Sequence, residues 1–92
     1  MNEDQAKIVA LRALAYLVGD DSVLQRFMGL SGIDPSDLRQ GADDPAILAG
    51  VLEFFLGNEA QLLEMCRETG MAPEEPAQAR HGLTDSRHEE WS

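Results

Sequence analysis

Shifted along itself by 38 residues, the chain meets its own punctuation. Gly19 falls on Gly57, Gly32 on Gly70, Leu14 on Leu52, Leu24 on Leu62, Pro35 on Pro73 and Gln40 on Gln78, with no insertion or deletion. Similar pairs fill the register: Tyr16 with Phe54, Asp20 with Asn58, Asp21 with Glu59, Phe27 with Met65, Ser31 with Thr69 and Ile33 with Met71. Glycine stops and proline starts are common to helical proteins, but they do not by themselves align the apolar positions between them. The register therefore predicts an internal duplication, with units at about residues 7–42 and 45–80, each a long helix, a medium helix and a short proline-started helix. Two copies are fewer than an open solenoid needs. The units should therefore pack face to face as an all-α, compact bundle of about six helices with approximate two-fold symmetry, or else leave an apolar edge for a partner or a second chain.

The local signals agree. Ile8 to Val18 carries Leu11, Leu14, Ala15, Leu17 and Val18 at three- and four-residue spacings, with Asn2 and Gln5 as a capping box and Gly19 as a left-handed stop. Asp20 or Asp21 opens a second helix with Leu24, Phe27 and Met28 as its apolar set. Asp34-Pro35 starts a third, to about Gln40, because proline's missing N–H costs nothing at the first helical position. Asp44-Pro45 starts a fourth in the same way; from Ala46 to Leu56 Glu53 is its only charge, which marks it as the central buried helix. Its small residues Ala46, Ala49 and Gly50 would let a neighbouring axis approach closely. The fifth, Glu59 to Thr69, sets Leu62, Met65 and Cys66 against Glu64, Arg67 and Glu68. A short sixth follows Ala72-Pro73-Glu74-Glu75-Pro76 to about Arg80. Residues 82–92 are too polar to offset their ordering entropy and read as a flexible tail on a single helical domain spanning 1–81. No alternating Val, Ile or Thr stretch and no Asn-Gly hairpin signals a strand.

Charge narrows the function classes. Seventeen Asp and Glu face seven Lys and Arg, a net charge of −10. Nucleic-acid binding draws on cationic side chains displacing counterions, and anionic membranes attract the same cations, so neither is an expected ligand. A basic protein partner is favoured by this sign. Residues 43–92 hold eleven acids and three bases, so such a partner should prefer the second half. With Cys66 as the single cysteine no intramolecular disulfide can form, which suits a reducing cytoplasm. The first residues lack the basic region of a signal peptide, and no apolar run approaches the ~20 residues of a membrane span.

Candidate chemical groups each have a simpler explanation. Gly19-Asp20-Asp21 and Gly57-Asn58-Glu59 offer oxygens but lack the ligand spacing of a calcium loop, and helix capping accounts for them. His81 and His88 are too few for a zinc site. Cys66 lies on an apolar stripe and reads as a small buried hydrophobe. Glu53, which aligns with Ala15, should reach solvent or pair with an arginine such as Arg12 or Arg67. Trp91, beside Glu89 and Glu90, could anchor a short docking motif, fold back onto the domain or merely terminate the chain. Phosphate loops, Ser-His-Asp sets and dinucleotide fingerprints are absent. No catalytic, cofactor-binding or metal residue is therefore assigned.

Three segments carry a resemblance: Ala13-Leu14-Ala15-Tyr16-Leu17, Phe27 through Arg39 with its Gly32-Ile33-Asp34-Pro35 centre, and Val51 through Glu59. Together they resemble a family of short acidic proteins of unknown function from alphaproteobacteria, over about residues 6–80. The resemblance implies a cytosolic all-helical domain and an arginine-rich bacterial source, in keeping with six Arg to one Lys, and brings no activity with it. The expectation is a non-enzymatic protein-binding or regulatory module, monomeric or homodimeric; the alternative is a structural, self-associating protein without a separate partner.

Overall fold

The structure, a computed structural model, describes residues 2–91, with side chains described through Leu83. Six helices follow in order: α1 (Glu3–Val18), α2 (Asp21–Ser31), α3 (Pro35–Gln40), α4 (Pro45–Leu56), α5 (Glu59–Thr69) and α6 (Glu75–Trp91). Among the described residues there is no strand. Four helices, α1, α2, α4 and α5, begin where a side chain accepts otherwise unpaired N–H groups, whereas at α3 Asp34 makes no side-chain cap hydrogen bond and Pro35 alone marks the start. Asn2 Oδ1 accepts from the Gln5 N–H at 2.8 Å, Asp20 Oδ1 from Ser22 and Val23, Asp44 Oδ1 from Ala46, and Asn58 Oδ1 from Gln61. Gly32 and Gly70 end α2 and α5 at φ 74° and 76°, a left-handed turn that costs a β-carbon dearly. Gly19 departs from expectation: it stays right-handed at φ −83°, as does Gly57 at φ −81°. Only two residues separate each long helix from the next, so the chain turns with Asp20 or Asn58 already capping the following helix rather than through a left-handed stop.

The core is built from α1, α4 and α6, each packed on the other two. α2 packs on α1 and α4, and α5 on α4 and α1. From α4 come Leu48, Val51, Leu52 and Phe55, all sealed from solvent, which makes it the central helix foreseen. Of the apolar set expected along α1, only Leu14 and Leu17 lie on the buried face. Ala6, Val9, Ala10, Ala13, Leu14 and Leu17 point inward, while Ile8, Leu11, Ala15 and Val18 are exposed. A helix wedged between two others needs small side chains at the contact, and three alanines provide them.

The third elements of the two expected units are unlike. α3 has six residues and starts at Pro35; α6 has seventeen and starts two residues after Pro73. Pro76 falls in the first turn of α6, where its ring is tolerated and buried, and the Glu75 carboxylate accepts from the Ala72 N–H. Pro76, Ala79 and Leu83 then form a narrow inward stripe. The tail expected from Gly82 starts too early by at least two positions: Gly82 and Leu83 are buried within α6. The side chains of His88 and Trp91 lie outside the described residues.

The Cα radius of gyration is 12.4 Å, close to the roughly 12 Å expected of a compact chain this long. Among the described residues no polar or charged side chain is buried, and no single helix is long and apolar enough to cross a membrane.

Candidate functional site

Where α2 crosses the outer side of α4, the surface opens into a cleft of about 410 Å³. Its floor is aromatic: Phe27 and Phe54 meet edge to face at 5.4 Å, and Phe54 leans on the buried Phe55 at 5.2 Å. Gly50 forms part of the wall, where a β-carbon would have nothing within 4 Å. The expectation that Ala46, Ala49 and Gly50 let a helix pack tightly is therefore corrected. Ala46 is exposed, Ala49 and Gly50 are half-buried, and the missing side chain of Gly50 leaves open space. Leu30 stands at the rim with 75% of its surface exposed, and Arg26 and Glu53 supply the charges.

A second cleft, about 400 Å³, lies between α1 and α5 and is lined by Ala15, Tyr16, Gly19, Asp20, Glu64 and Glu68. Each of these residues stands 38 positions from a residue lining the first cleft. Glu53 replaces Ala15, Phe54 replaces Tyr16, Arg26 replaces Glu64 and Leu30 replaces Glu68. One cleft is therefore apolar with mixed charge and the other is acidic. Burial pushes the Tyr16 hydroxyl above its ordinary pKa, and the carboxylates of Glu64, Asp20 and Glu68 add to the effect, so the ring keeps its proton.

Glu53 reaches solvent, as expected, and pairs with an arginine, but the partner is Arg80 from α6 at 2.8 Å rather than Arg12 or Arg67. Arg12 instead donates to the Thr69 carbonyl at the end of α5. Because the Glu53 side chain is 58% exposed, water screens the pair. Glu53→Gln should cost about 0.2–1 kcal/mol in denaturant unfolding, and less in high salt.

Cys66 is buried, and burial raises its thiol pKa, followed by Glu75 and Glu74. A thiol held neutral is a poor nucleophile. Alkylation of the native chain at pH 8 should be many-fold slower than in denaturant. The linked stability is fully present below the ordinary thiol pKa of about 8.5 and declines as pH rises through the higher folded value. His81 is exposed, and Asp20 and Asn58 are engaged as caps. Among the described residues, no group of three or more His, Cys, Asp or Glu side chains could hold a metal ion.

A family described as Protein of unknown function (DUF3572) matches residues 3–86. The chain belongs to that family. The DUF3572 match runs through most of the helical core and past Leu83, beyond the domain end expected at residue 81. No curated protein and no solved structure matches the chain.

The apolar cleft was not foreseen in the sequence. Its one usable signal was Gly50, a poor helix former in the middle of a strongly apolar helix.

Proposed function

We propose that this DUF3572 protein is a non-enzymatic protein-binding or regulatory module whose partner is basic. The observation that carries the reading is the α2–α4 cleft, with aromatic rings at its base and Leu30 largely uncovered beside it, in a molecule of net charge −10. Aromatic pockets framed by polar groups are where binding energy concentrates, and the overall charge speeds encounter with a cationic surface. In a retention experiment the immobilised chain should hold a basic protein from the source lysate at low ionic strength and release it in raised salt. Absence of any partner above background at low salt would end this reading.

A second reading, self-association, is favoured by the exposed stripe Ile8, Leu11, Ala15 and Val18 along α1, spaced three, four and three residues apart. Sedimentation across concentrations separates the two, since a monomer that persists at high concentration removes this alternative.

The finer architecture belongs to the same proposal: two duplicated units, related by approximate two-fold symmetry, in a cytoplasmic alphaproteobacterial protein. Three observations support the duplication. Burial runs identically along residues 13–20 and 51–58. The last turns of α2 and α5 are tied alike, Ser31 Oγ to the Phe27 carbonyl at 2.7 Å and Thr69 Oγ1 to the Met65 carbonyl at 2.8 Å. The two clefts are lined by residues in the same register.

A further inference from the structure

The two clefts differ at the position that decides what each can hold. Beside the acidic cleft, Arg12 extends from α1 and its guanidinium donates to the Thr69 carbonyl, at the C-terminus of α5. Thirty-eight residues on, the position of Arg12 is Gly50, and the position of Thr69 corresponds to Ser31 at the C-terminus of α2. The end of α2 has the same left-handed glycine and the same hydroxyl-to-carbonyl bond as the end of α5, but no guanidinium and no basic residue in its last turn. A helix C-terminus carries roughly half a negative charge on its unpaired carbonyls, which a cation offsets. Gly50 leaves open the path along which an arginine stem would run.

We infer that the α2–α4 cleft receives an arginine side chain from a partner protein, seated as Arg12 is seated in the other half. This rests on the protein-binding reading and names the group that the cleft recognises. The guest's aliphatic stem lies against the partly exposed Phe54, which the buried Phe27 holds edge to face, and its guanidinium meets the carbonyl end of α2 and the Glu53 carboxylate, which Arg80 engages through Oε1. A planar guanidinium suits this seat better than an ammonium, because it stacks on aromatic faces and forks its donors between carbonyl and carboxylate. Arg26 also lines the cleft, its backbone more than one turn before Ser31, and makes no hydrogen bond or ion pair to the carbonyls that end α2.

The test uses the nitrogen-labelled 92-residue chain titrated with the capped peptide acetyl-Leu-Arg-Leu-amide and with its twin carrying uncharged citrulline. Saturable amide shifts are expected at Leu30, Ser31, Gly50 and Phe54, with the citrulline peptide at least tenfold weaker. Gly50→Arg supplies the guanidinium from within and should abolish the response while raising the melting temperature. Gly50→Leu blocks the same space without charge and should abolish the response too, so the test survives if one variant fails to fold. Shifts scattered over the acidic second half, equal binding of the citrulline peptide, or an unchanged response in a folded Gly50 variant would overturn the inference. The broader reading fails separately: a salt-sensitive lysate partner retained equally by wild type and Gly50→Arg refutes the arginine seat alone, whereas no partner at all refutes the protein-binding module.

Discussion

Phe55→Ala should be among the most damaging single truncations in the molecule, costing about 3–5 kcal/mol of folding stability. Phe55 has no solvent exposure, sits on the central helix, and touches the rings of both Tyr16 and Phe54. Removing it leaves a cavity bordered by α1 and α4 and unseats the floor of the apolar cleft. For a domain of this size a loss of 3 kcal/mol or more lowers the melting temperature by at least roughly 12 °C, out of a total stability of typically 5–15 kcal/mol. Thermal unfolding followed by circular dichroism measures it directly. The control is Leu30→Ala, where 75% exposure should hold the change to within about 0.5 kcal/mol. A drop of comparable size in both would mean that the cleft floor and its rim are not distinguished by burial.

Leu83→Ala should destabilise by about 2–5 kcal/mol, the range for a large aliphatic side chain removed from a core. Leu83 is 1% exposed and belongs to the stripe by which α6 closes over α1 and α4. A flexible segment would give no change at all, so urea unfolding of this variant decides between a sealed helix and a tail. The midpoint should fall with little change in slope, since the same surface is exposed on unfolding.

The reason this helix was hard to read is physical. Pro76 and Gly82 both lower intrinsic helicity, and between Glu75 and Leu83 the apolar contacts reduce to a stripe one residue wide per turn. Packing against two larger helices supplies what propensity does not. By contrast α2, α4 and α5 were legible because their caps are local: an Asp or Asn and a glycine fix each end independently of tertiary contacts, and α3 was legible from Pro35 and Gly41, although Asp34 makes no side-chain cap bond. α1 was legible as a helix but not in its orientation. Two apolar stripes compete along it, Ile8-Leu11-Val18 and Ala6-Ala10-Ala13-Leu17, and the pattern alone favours the bulkier one. The requirement to fit between α4 and α6 selects the smaller. The cleft was invisible for a related reason, since a glycine in a helix signals either close packing or empty space, and only the neighbour's position decides which.

That the first and last helices lie against each other has a bearing on how the protein is made. α1 is made well before α6, one of the two helices with which it builds the core. Until α6 has emerged, α1 can lean only on α2, α4 and α5, and its side towards α6 stays unsealed. Consolidation of the core therefore waits until α6 has been made, which makes translation speed and chaperone access at that stage determinants of yield.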